Sequence, residues 1–109
     1  MGTANVSFGR SAIVAITDPL PALFDKIVSE NITTAIGSSV PTVNRSALPG
    51  TQNRYRGAVR ILMTNNGYVE IGPAPVAAVG TSMWCLANTE YYFAVEDGDA
   101  VAILEVATV

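Results

Sequence analysis

A chain of 109 residues has room for one domain and can bury enough apolar surface to fold without staples. One cysteine and no histidine exclude an internal disulfide, the usual zinc spacings and every catalytic arrangement that turns on an imidazole. Half the residues are hydrophobic and only 14% are charged, against about 25% in an ordinary soluble domain, so part of the surface is expected to be covered by neighbours.

The start, Met1 to Phe8, has neither a basic n-region nor an apolar core, so no Sec export is expected. Met1-Gly2 fits a myristoylation start only in part, because Val6 stands where Ser or Thr is required. The triplets at Asn5, Asn31 and Asn44 match the glycosylation pattern, which matters only for a secreted chain. Phe8 to Thr17 reads as an opening strand. Asp18-Pro19 then suits the cap of one short helix, Pro19 to Ser29, with Leu20, Phe24 and Val28 at i+4 spacing. The β-branched Ile27, Val28, Ile32, Thr33 and Thr34 oppose a longer helix, so Asn31 to Ile36 is expected to be extended. Residues 38–57, with Pro41, Pro49, Gly50, Asn53 and Gly57, read as a long exposed loop or arm.

Ala58 to Thr64 is β-branched and apolar and runs straight into Asn65-Asn66-Gly67, which predicts a hairpin returning along Tyr68 to Ile71. Pro73 and Pro75 remove ladder donors and place the next segment at an edge or a crossing between sheets. Ile71 to Thr89 carries no charge, yet its Gly, Pro, Ser and Asn residues exclude a membrane span, and Ser82 to Leu86 reads as a buried strand. Glu90 to Glu96 and Asp99 to Val106 flank Asp97-Gly98, a second hairpin signal, with Tyr91, Phe93 and Val95 on one face and Tyr92, Ala94 and Glu96 on the other. Short strands punctuated about every ten residues predict an all-β single domain, an antiparallel β-sandwich or barrel of jelly-roll-like form.

Charge is unevenly placed within a net of −3. Arg10, Lys26, Arg45, Arg54, Arg56 and Arg60 all precede Ile61, where only Asp18, Asp25 and Glu30 oppose them, a balance of +3. Glu70, Glu90, Glu96, Asp97, Asp99 and Glu105 follow it, a balance of −6. Such a split suits a heterologous contact between subunits, with Arg45, Arg54, Arg56 and Arg60 meeting the acidic turn Glu96, Asp97 and Asp99 of a neighbour, and equally suits two charge sets that simply face solvent. The same basic strip around Tyr55 is a poor nucleic-acid contact, because the chain is acidic overall.

Catalytic chemistry finds no foothold. Cys85 sits between Trp84 and Leu86 with no cation to activate it, Lys26 is the sole lysine, and no phosphate-cradling glycine loop occurs. Glu96-Asp97-Gly98-Asp99 offers oxygens for calcium at a subunit contact, but it lacks the ligand series of an EF-hand and reads better as a solvated turn. No catalytic residue, cofactor or metal is therefore assigned. Trp84, Tyr91, Tyr92 and Phe93 admit a sugar-stacking reading, outweighed by cross-strand and core packing.

From Gly57 onward, the strand, the Asn66-Gly67 turn, Gly80-Thr81-Ser82, Leu86 to Phe93 and Gly98 to Ile103 together resemble small virion proteins of tailed bacteriophages, the head decoration (cement) proteins and related fibre-base modules. The resemblance covers about half the chain. It implies a non-catalytic structural protein, made in the host cytoplasm. It also implies an all-β homo-oligomer, often a homotrimer, that sits on the capsid surface and clamps the major capsid protein, with no nucleic-acid or membrane partner. The alternative is a carbohydrate- or receptor-binding β module of a virion fibre that uses the aromatics near Tyr91.

Overall fold

The computed structural model describes residues 2–12, 24–47 and 55–107. Those residues hold eight strands and no helix: β1 (Thr3–Ala12), β2 (Phe24–Thr33), β3 (Ser39–Pro41), β4 (Tyr55–Met63), β5 (Gly67–Gly72), β6 (Met83–Cys85), β7 (Glu90–Val95) and β8 (Ala100–Glu105). Period-two alternation explains most of them. Ala4, Val6 and Phe8 of β1 point inward, as do Val59, Ile61 and Met63 of β4, while Asn5 and Arg60 face out. Strand β8 is buried throughout because both of its faces are covered, which accounts for its unbroken apolar run up to Glu105.

The strands form two four-stranded antiparallel sheets, ordered β2-β1-β4-β7 and β3-β8-β5-β6, packed face to face over one core. The expected sandwich is thus present, and the barrel alternative is not, since the two sheets do not close on each other. Counted cyclically from β2, the orders become first-eighth-third-sixth and second-seventh-fourth-fifth. That is the jelly-roll arrangement with its last strand moved to the front of the chain. The ring closes in space, for the Gly2 N–H ahead of β1 donates to the Glu105 carboxylate at the end of β8 over 2.7 Å.

Three expectations are corrected. Both predicted hairpins are arches: β4 pairs with β1 and β7 while β5 pairs with β8 and β6, and β7 and β8 likewise belong to different sheets. The Asn66-Gly67 and Asp97-Gly98 segments therefore carry the chain across the core. Gly98 does take the left-handed conformation, φ +89°, but Gly67 is needed for another reason, because a Cβ there would lie 2.6 Å from the Leu104 carbonyl oxygen.

The expected helix over 19–29 is strand β2 from Phe24 on, and its earlier part lies outside the described residues. A spacing of four is even, so Val28 and Ile32 share a strand face as readily as a helix face, and here that face packs on the core. The Ser82 to Leu86 strand is not buried as expected: β6 is a three-residue edge strand in which only Cys85 enters the core.

Two further segments differ in extent. The opening strand starts at Thr3, earlier than expected, and residues 13–17 lie outside the described set. Of the expected arm, Ser39–Pro41 is β3, and the Thr42 and Ser46 N–H groups donate to the Val101 and Asp99 carbonyls at 2.7 Å each. Tyr55 opens β4, and 48–54 are not among the described residues.

Candidate interaction surfaces

Of the charged residues singled out above, Arg45, Arg60 and Asp99 make side-chain contacts within the chain. Arg45 donates from Nη1 to the Pro73 carbonyl and, at 3.0 Å, to that of Gly98, so it fastens the β7–β8 arch to the segment after β5. Arg60 and Glu90, on the outer face of the first sheet, form an ion pair at 2.9 Å, and the Tyr92 hydroxyl donates to the other Glu90 oxygen at 3.2 Å. The Arg60 hydrogen bond holds the Glu90 carboxyl below its ordinary range and, reciprocally, raises the guanidinium.

In the arch, the Glu96 N–H donates to Asp99 Oδ2 at 2.8 Å and the Gly98 N–H to the Ser46 carbonyl at 2.7 Å. The described residues bring no three of His, Cys, Asp and Glu together as a metal site. Arg56 stands opposite Ser11 in the β1–β4 ladder, and Arg54 lies outside the described residues.

The aromatics divide. Tyr91 and Phe93 stack in parallel, centroids 6.1 Å apart, against the core, and the Tyr91 hydroxyl accepts the Leu86 N–H at 2.9 Å. Both are spent on structure. Trp84 and Tyr92 are the exposed ones, and Trp84, 46% exposed, is tilted over Tyr68 with centroids 5.1 Å apart on the outer face of the second sheet. That face carries a second small apolar cluster, Ala77, Ala102 and Leu104, roofed by the 73–82 segment. Hydrogen bonds pin the roof: the Ala77 N–H donates to Ser39 Oγ at 3.0 Å, and Ser82 Oγ to Glu70 at 2.8 Å. Around it the chain exposes Val76 (71%), Val79 (65%), Met83, Trp84 and Leu86 within eleven consecutive positions. The sequence signal was there, in the charge-free stretch from Ile71 to Thr89, but it reads as buried strand where the structure has an uncharged apolar surface.

Two features escaped the sequence reading. On the outer face of the first sheet, Asn5 Nδ2 donates to Asn31 Oδ1 at 2.8 Å and to Ser29 Oγ at 3.2 Å, and Ser7 Oγ lies 2.9 Å from Ser29 Oγ. Two of the glycosylation triplets thus contribute to one flat polar ladder. The second feature is the Glu105 carboxylate, 2% exposed, which accepts from the Gly2 N–H, the Thr34 hydroxyl and, at 2.9 Å, Asn65 Nδ2. The Thr34 hydrogen bond first, then those of Asn65 and Gly2, hold its carboxyl below 4.5 against the opposing effect of burial. Cys85 behaves as a core thiol, pushed up to about 11 by burial and so unreactive near neutral pH.

Compared with known proteins, the chain matches no family model, no curated protein and no solved structure.

Proposed function

We propose that the chain is a non-catalytic virion structural protein, a decoration or cement protein that stabilises a phage head as a homo-oligomer in contact with the major capsid protein. The uncharged apolar strip from Val76 to Leu86 carries this reading. Large exposed side chains gathered on a rigid sandwich, in a chain with 14% charged residues, suit a surface covered by other subunits rather than by water. Its action is mechanical: weak contacts, repeated by the symmetry of a shell, raise the barrier to its opening.

The experiment is adsorption to undecorated tailed-phage capsids. The expected result is saturation at a stoichiometry that matches lattice sites, together with a higher capsid melting temperature. Trp84→Ser, at a side chain outside the main core, is expected to weaken adsorption roughly 30-fold, about 2 kcal/mol, as for an aromatic hot spot. Adsorption without saturation, or saturation indifferent to Trp84, overturns the reading.

One observation favours a second reading, the fibre module. Trp84 beside Tyr68 offers an open aromatic surface on which a sugar ring can stack, a role Tyr91 does not have. Saturable glycan binding lost in Trp84→Ala, without capsid adsorption, selects it.

A further inference from the structure

We propose that Asn66 is a deamidation site that the fold holds shut: its amide survives while the β4–β5 arch is in place and is lost once the arch opens, and the isoaspartyl chain that results cannot rebuild the arch. Asn66 is the one asparagine of the chain that precedes glycine. The reaction begins with attack of the Gly67 backbone nitrogen on the Asn66 side-chain carbonyl carbon, Cγ. The new N–Cγ bond closes a cyclic imide, and the amide nitrogen leaves as ammonia with the proton that Gly67 gives up. Water then opens either carbonyl of the ring, to aspartate or to isoaspartate. Glycine has no side chain to hinder the approach, whereas every other asparagine here is followed by a residue that bears one.

The attack needs the Gly67 nitrogen and the Asn66 side chain free and close together, and the structure commits each elsewhere. The Val106 N–H donates to the Asn66 carbonyl at 3.0 Å, so Asn66 turns its backbone to β8, and alternation turns that of Gly67 to β6, where Cys85 stands opposite. The Gly67 N–H is thus a rung of the β5–β6 ladder. The Asn66 side chain is held by its oxygen, because Oδ1 accepts the Ala87 N–H at 2.7 Å. Turning Cγ toward Gly67 breaks that bond, and freeing the nitrogen breaks the rung. Nor has Gly67 slack on its other side, where a Cβ would meet the Leu104 carbonyl oxygen at 2.6 Å.

The same contacts make the modification one-way. In isoaspartate the main chain runs through Cβ and Cγ of residue 66, and the former peptide carbonyl carbon becomes a side carboxylate. The link to Gly67 is longer by one atom, so Gly67 no longer reaches its place between Cys85 and Glu105 while residue 66 stays against Val106. The aspartate product keeps the backbone and an oxygen for the Ala87 N–H, and is not barred. Time spent with the arch open is thereby recorded in the chain, whatever the protein's partners.

The test follows the parent protein at mildly alkaline pH, in native buffer and in denaturing urea, with peptide mapping by mass spectrometry. Asp97-Gly98, the other pair able to form the imide, loses no ammonia and is silent in mass. Conversion at Asn66 is expected in urea and at least about 30-fold slower in native buffer, the factor set by an opening free energy of about 2 kcal/mol. No conversion in urea overturns the site, and a smaller ratio overturns the gate. Ala87→Pro removes the donor to Asn66 at a turn position, before the positive φ of Asn88, that accepts proline. With unchanged far-UV circular dichroism it is expected to speed native-state conversion roughly 3- to 10-fold, the worth of one net hydrogen bond, and an unchanged rate removes that bond from the gate. On dilution from long incubation in urea, the refolded fraction is expected to hold asparagine or aspartate at position 66 and the unfolded fraction to hold isoaspartate. Isoaspartate in equal proportion in both overturns the one-way step. Asn66→Ser, with no amide to lose, is expected to refold to the same yield after short and long incubation, and a yield that declines as the parent's does places the damage elsewhere and overturns the proposal.

Discussion

Glu105 shows how much a single buried carboxylate can hold together. Its three donors come from Gly2, Thr34 and Asn65, which are 103, 71 and 40 residues away in sequence, so the start of β1, the end of β2 and the β4–β5 arch converge on one side chain. No local pattern announces such a meeting, and the sequence shows only one more acid in an acidic half. Each donor favours the ionised form, and the folded-state carboxyl therefore titrates below 4.5. A depressed folded value contributes stability that is complete above the unfolded pKa and is lost as pH falls through the folded one. The urea midpoint is accordingly expected to be flat above about pH 5 and to fall as acid is added below 4.5. Glu105→Gln turns an amide NH2 toward donors that need an acceptor and is expected to cost about 1–3 kcal/mol at pH 7. It also flattens part of the acid limb, with Glu30 and Glu90, both held low by hydrogen bonds, supplying the remainder. A variant with the parent's acid profile and midpoint would remove Glu105 from this role.

At the scale of the element, the positions of the strands from β4 on were legible, whereas β2 was expected as helix, β3 as loop and β6 as buried, and strand partners were not legible at all. The alternation in Glu90–Val95 puts Tyr91 and Phe93 on the core and Tyr92 outside, as the period of two predicts. The turn chemistry at Asn66-Gly67 and Asp97-Gly98 is equally local, and it marks a reversal without saying whether the chain returns beside itself or crosses to the facing sheet. That choice is made by the strands that pair with those flanking each turn: β1 and β7 flank β4, and β8 and β6 flank β5. Gly67 separates the two accounts experimentally. In a hairpin turn its value would be conformational freedom; here it is room, since the nearest atoms to an added Cβ are the Leu104 carbonyl oxygen at 2.6 Å and carbon at 3.3 Å. Backbone does not yield as a side chain end does, so Gly67→Ala is expected to cost about 1–3 kcal/mol. Gly72→Ala, at the other end of the same strand with nothing within 4 Å, is expected to be neutral or to stabilise by about 0.4–1 kcal/mol. Chemical denaturation of the pair measures the difference, and equal midpoints would mean that the close approach to β8 is relieved at no cost.

For the molecule as a whole, the ordering of strands is a ring that the chain enters at an unusual point. Strand β1 lies between β2 and β4, the place that the last strand of a jelly roll takes when the chain enters one strand later. The sheets depend on which strands are neighbours and not on where the backbone is interrupted, provided that the joined ends are near and the opened link carries little structure. The first condition holds, because Gly2 and Glu105 are in direct hydrogen-bond contact and the Val106 N–H donates to the Asn66 carbonyl beside them. A rearranged chain that begins at Phe24, runs to the end, continues through a short Gly-Ser linker into residue 2 and stops at Leu23 moves β1 to last place and leaves every ladder of the described residues intact. It is expected to fold with the same circular dichroism and a melting temperature within about 8 °C of the parent, the shift that roughly 1 kcal/mol produces in a domain of this size. Placing the cut between β4 and β5 instead severs the arch that holds Gly67 against Leu104 and presents Asn66 to Ala87, and that chain is expected to melt lower than the first. If the two rearranged chains are equally stable, the ring of strands tolerates interruption anywhere. If neither folds, the contact between Gly2 and Glu105 forms only after the continuous chain has already placed β1 between β2 and β4.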